Sequence, residues 1–171
     1  MLPLQSHLLT MARYNVWATG VLLHHVESLP EADYRRDLGL FFKSIHRTLN
    51  HLLVGEQLVW FRRFSEGVSP KLGLGDEVEP DRAALARRLT EGVARWLPLI
   101  ESLDESRLSG TLDYANLRGT AVSLPFAATL AHVFNHGTHH RGQITAGITA
   151  LGRPCPELDL VIMLQAESRP S

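Results

Sequence analysis

The sequence predicts an all-α protein built on four long helices, and three observations carry that reading. Apolar residues recur at three- and four-residue spacing through 4–28, 44–64, 81–103 and 125–151, the period of helices that turn one face to a core. Residues that start or stop helices bound these stretches, among them Pro30, Ser44 and Gly152. Strand-like composition is confined to one short region, 111–124, just before the last long helix. At 171 residues, 44% hydrophobic and 20% charged, the chain suits a single domain with a substantial apolar core. Seventeen basic residues against eighteen acidic ones leave no electrostatic footprint for nucleic acid or an anionic membrane.

In the first helix, expected from about Leu4 to Ser28, the seam runs Leu4, Leu8, Met11, Asn15, Ala18, Leu22, His25 and Leu29. Asn15 interrupts it, and a mid-seam amide needs a partner. A hydrogen bond to a neighbouring helix is the plain reading; orienting a metal ligand or contacting substrate is the functional one. Residues 31–43 look mixed and turn-rich. Ser44 then caps a second helix reaching Phe64, apolar around most of its circumference. His51 lies on it beside the small residues Thr48 and Gly55, whereas His46 sits about 140° away and Glu56 projects elsewhere. A long Gly-, Ser- and Pro-containing connection, 65–80, is of the kind that covers sites. The third helix is expected from Asp81 to Leu103, with Leu85, Leu89, Val93 and Trp96 buried and Pro98 kinking its last turn. A short hairpin or extended crossover follows, with Asn116-Leu117-Arg118-Gly119 as turn material. Pro125 is expected as the first residue of the fourth helix, Gly152-Arg153-Pro154 ends it, and 157–167 reads as a short closing helix.

The fourth helix holds four of the nine histidines, His132, His136, His139 and His140. His136 and His140 lie one turn apart, roughly 6 Å along the axis and about 40° around it, so both can reach one ion. His132 and His136 share that spacing, but the apolar arc of Phe126, Leu130, Val133, Ile144 and Ile148 places His140 nearest its centre and His136 at its flank. The inward pair is therefore His136 and His140, with His51 as a third imidazole from the second helix. A histidine on an apolar face is more often a core residue bonded to a carbonyl, and His51 alone would read that way. The lone cysteine, Cys155, fits a reducing compartment. Neither a signal peptide nor a bilayer-length apolar run is seen, which suggests a cytoplasmic protein.

Leu49-Asn50-His51-Leu52-Leu53 in the second helix and His136-Gly137-Thr138-His139-His140-Arg141-Gly142-Gln143-Ile144 in the fourth resemble the DinB/YfiT-like putative metalloenzymes. This is the small helical family, not the DNA polymerase that shares the DinB name. Tyr14-Asn15-Val16-Trp17-Ala18 and Pro156-Glu157-Leu158-Asp159-Leu160 also look like the family. The resemblance implies a four-helix bundle with left-handed twist, often a homodimer, and one divalent metal ion on His51, His136 and His140. Some relatives carry glutamate where this chain has His136; His132 and His139 match no ligand position. Zinc suits three imidazoles, and nickel or another transition metal also binds them. Three protein ligands leave one place for water or substrate, the pattern of a catalytic rather than a structural site. Relatives of known activity resemble S-transferases or isomerases using low-molecular-weight thiols such as bacillithiol or mycothiol. The expectation is thus a metal-dependent S-transferase acting on small electrophiles. Asn15 and Arg141 are candidate substrate contacts, Arg141 alternatively forming a surface or dimer salt bridge. A metal-dependent hydrolase and a non-catalytic metal-binding stress-response protein are the other two readings.

Overall fold

A computed structural model describes residues 2–168. Helix α1 (Pro3–Glu27) begins at a proline whose missing N–H would be unpaired in a first turn anyway. Short α2 (Glu31–Arg35) follows, in a stretch expected to be turns. Ser44 caps α3 (Ile45–Leu52) by accepting from the Arg47 amide at 3.2 Å. The second long helix is continuous but not uniform. After α3 it runs through a π-helical stretch, Leu53–Trp60, into α4 (Phe61–Glu66), which ends on Gly67 in the left-handed conformation at φ 67°.

The third long helix is broken in two, a correction to the single span expected. Asp81 caps α5 (Arg82–Ala94) through the Ala84 amide at 2.7 Å, and α6 (Trp96–Glu101) resumes after Arg95. Pro98 explains the position of the break. It has no N–H to offer the carbonyl four residues back, at Ala94, so the interruption falls before the proline rather than after it. Helix α7 (Glu105–Ser109) then leads into the expected hairpin. Strands β1 (Thr111–Ala115) and β2 (Ala121–Pro125) pair antiparallel, Thr111 opposite Pro125 and Ala115 opposite Ala121. Pro125 is therefore the last strand residue, and α8 (Phe126–Ala150) starts after it. The ladder holds Pro125 extended, and the Phe126 amide donates to the Gly110 carbonyl at 2.9 Å. Helix α9 (Leu160–Glu167) closes the described chain.

Helix α1 packs on α5, α6 and α8, while α3 and the π-helical stretch pack on α5 and α8, which makes an all-α bundle with a two-stranded appendage. Its interior has two large apolar parts and a small third one, Tyr14, Ala18 and Met163, under α9. Of the large parts, one gathers Leu8, Phe61, Phe64, Trp96, Phe126 and Phe134. Trp96 meets Phe61, Phe64 and Phe134 edge to face at 5.0, 5.7 and 5.9 Å, the favoured geometry for such rings. The other gathers Leu22, Ile45, Leu49, Leu85, Ile144 and Ile148. Between them, at mid-helix, lie the buried polar side chains Asn15, Glu56, Gln57 and Arg141. Among the described residues no helix is long and apolar enough to cross a membrane.

Candidate metal centre

Beside this polar layer, α3 and α8 bring His51, His136 and His140 together. Nε2 of His136 lies 3.1 Å from Nε2 of His51 and 3.1 Å from Nε2 of His140, and one nitrogen from each ring falls within 4.8 Å of the others. The one-turn spacing on α8 sets the second of those distances. The first depends on a close approach of the π-helical stretch to α8. A Cβ on Gly55 would stand 3.3 Å from Cε1 of His136, so a residue without one leaves the ring its place.

Two of the three outward nitrogens are held as well; Nδ1 of His136 is buried with no partner among the described residues. Nδ1 of His51 donates to the Leu74 carbonyl at 2.7 Å, and Nδ1 of His140 to Oε1 of Gln143 at 2.8 Å. Both partners only accept, which fixes the protons on Nδ1 and turns bare Nε2 lone pairs inward. Phe42 stacks on His51 with centroids 3.9 Å apart and planes 20° from parallel. Burial, reinforced by the neighbouring His140 and His51, pushes the His136 pKa down to about 3. Burial likewise takes His140 to about 4 against the opposing bond from Gln143, and lowers His51 against the Leu74 carbonyl. All three rings are neutral at pH 7, the form that ligates metals.

This donor set fits a cation. A single proton on Nε2 of His136 can satisfy one facing lone pair and not both. Three nitrogens at 2.0–2.1 Å from a tetrahedral zinc lie about 3.3 Å apart, close to the 3.1 Å found on two edges. On His51 and His140 the outer hydrogen bonds supply the orientation that metal-bound imidazoles ordinarily have.

The remaining candidates are placed differently. His139 is exposed on α8 and faces Nε2 of Gln143 at 3.2 Å. His132 is outside the group, with its ring 5.4 Å from Trp60 and 5.7 Å from His136. His46 is buried elsewhere, against Tyr34 and Glu77. Arg141 is not at a surface: it is 2% exposed, and its Nη1 donates to Oδ1 of Asn15 at 2.5 Å. Nδ2 of Asn15 donates in turn to Glu56 at 3.0 Å. Asn15 and Arg141 thus sit in the polar layer rather than on the wall of the cavity that opens beside the histidines. That cavity, of about 440 Å³, is bounded by His51, His136, Trp60, Arg63, Tyr114 and Arg118 among others. Sequence reasoning missed Gln143, Phe42 and the Leu74 carbonyl. Gln143 follows His140 by one helical turn, a detectable signal; the other two depend on tertiary loop placement and left none.

A family model described as the DinB family matches residues 4–170. The chain is also similar to Protein DinB of Bacillus subtilis (strain 168), 30% identical over 148 residues that cover 81% of this chain and 83% of that protein. No solved structure matches significantly.

Proposed function

The chain belongs to the DinB family, and from that premise we propose that it is a metal-dependent S-transferase joining a low-molecular-weight thiol to a small electrophile. One observation carries the reading: three neutral imidazoles turn their Nε2 atoms toward one point, with the Nε2 lone pairs of His51 and His140 directed inward, beside an open cavity. His51, His136 and His140 would hold a divalent ion, with zinc the best match to three imidazoles. Such an ion lowers the pKa of a bound thiol or water, giving a nucleophile near neutral pH.

The protein's own part is placement. Leu74 and Gln143 fix the tautomers of His51 and His140, Phe42 covers the outer face of His51, and the cavity admits the reactants from the opposite side. A homodimer in a reducing cytoplasm belongs to the same proposal, and sedimentation of the purified protein checks the assembly state.

Untagged protein should carry about one metal ion per chain by elemental analysis. Alanine at His51, His136 or His140 should remove most of it, whereas His139→Ala should retain it. If His139→Ala emptied the protein and His140→Ala did not, the ligand assignment would fail. Metal-loaded protein should conjugate a reactive electrophile only when a thiol is supplied. Product release with water alone would move the reading to a hydrolase, and no turnover across a broad panel of thiols and electrophiles would move it to a non-catalytic metal-binding protein.

A further inference from the structure

The far wall of the cavity carries a charge with no counter-ion. Arg63 is 5% exposed, yet among the described residues its hydrogen bonds go to a hydroxyl and a carbonyl rather than a carboxylate, and no carboxylate lines the cavity. Its guanidinium lies 4.6 Å from the Trp60 ring centroid and 4.2 Å from that of Tyr114. Nε donates to Ser69 at 3.1 Å, and Nη2 only reaches the Ala115 carbonyl, at 3.5 Å. A guanidinium has five N–H donors, so an edge of this one is left for another acceptor. Burying an uncompensated cation is costly, and burial lowers the Arg63 pKa. Arg118, in the hairpin turn, adds a second positive group at the exposed rim.

We propose that the cavity binds an elongated small molecule bearing a carboxylate, with the carboxylate on the free edge of Arg63, Arg118 at the rim, and its other end toward His51 and His136. The length follows from the helix. Arg63 is twelve residues beyond His51, roughly three turns, and its side chain leans back over Trp60 toward the helix N-terminus. Two aromatic rings hold the guanidinium plane, leaving in-plane donors suited to a carboxylate fork. Placing the reacting end at the histidines rests on the function proposed above; the anion subsite does not.

The carboxylate can belong to the thiol or to the electrophile, and binding distinguishes the two. Protein stripped of metal with phenanthroline and desalted is titrated calorimetrically with N-acetylcysteine and its amide, then with 3-phenylpropanoate and its amide. Without metal, a carboxylate cannot score by ligating an ion, and failure of the metal reading leaves the result intact. At least one acid should bind tenfold or more tightly than its amide, and the pair showing this names the source. Arg63→Met should abolish the preference. Equal binding of acid and amide in both pairs overturns the proposal, as does a folded Arg63→Met protein that keeps the preference. If Arg63→Met does not fold, Arg118→Glu at the exposed rim should weaken acid binding severalfold and leave amide binding unchanged. Unchanged acid binding in that variant also overturns it.

Discussion

Glu56 is a carboxyl that the bundle buries without fully satisfying. Oε2 accepts from Asn15, while Oε1 has no partner among the described residues. Burial raises its pKa above the ordinary 4.5, outweighing the charge of Arg141 and the hydrogen bond from Asn15. A carboxyl with a raised folded-state pKa supports the fold below the unfolded value, and that support is lost as pH rises through the folded value. Glu56→Gln keeps an acceptor for Asn15 and has no such titration. Urea unfolding at pH 5 and pH 8 should therefore show the variant gaining on the wild type as pH rises. A gap that stays constant would mean that Arg141 and Asn15 cancel burial, and one that moves the other way that they outweigh it. At this scale the sequence was only partly legible. The i, i+4 pair on one apolar face picked out His136 and His140, but Arg141 looked like a surface residue because charge usually means exposure. What reverses the expectation is the partnership with Asn15 and Glu56, residues distant in the chain.

Helix α8 must approach the polar layer closely, and Gly137 allows it. A Cβ there would lie 2.5 Å from Oε1 of Glu56 and 3.0 Å from both Nη1 of Arg141 and Oδ1 of Asn15. Alanine would gain about 1 kcal/mol of helix propensity but overpack a buried site, at about 1–3 kcal/mol. Because the crowded atoms form one hydrogen-bonded group, the loss should win, and Gly137→Ala should lower unfolding free energy by up to about 2 kcal/mol. Gly142 on the same helix is exposed, with nothing within 4 Å of an added Cβ, so Gly142→Ala should stabilise by about 0.5–1 kcal/mol. If both variants moved stability upward, the close approach would not matter. Helix existence was readable from apolar spacing, and the hairpin from its turn residues. The π-helical stretch was not, since periodicity over twenty residues averages over a local change in winding, and Pro98 signalled a kink in the third helix without placing it at Arg95. Their positions matter to the site: the altered winding lies just beyond His51, in the segment that brings Gly55 against His136.

The bundle's two large apolar regions are separated by polar side chains, so its cohesion at mid-height depends on directional bonds as well as on area. Through an ion the three imidazoles would cross-link α3 and α8 there, elements far apart in sequence. An ion bound only by the folded chain stabilises it by mass action, about 2.7 kcal/mol at a hundredfold excess over Kd. For a chain of this length each kcal/mol moves Tm by about 2–4 °C. Zinc added to metal-stripped protein at that excess should therefore raise Tm by about 5–10 °C in calorimetry. Removing His51 cuts the link from the α3 side while leaving the α8 pair intact, so His51→Ala should lose most of the increase. His139→Ala leaves both sides in place and should keep it. An equal rise in His51→Ala and the wild type would show that zinc stabilises the protein through α8 alone or from another site, and that the two helices are not joined through it.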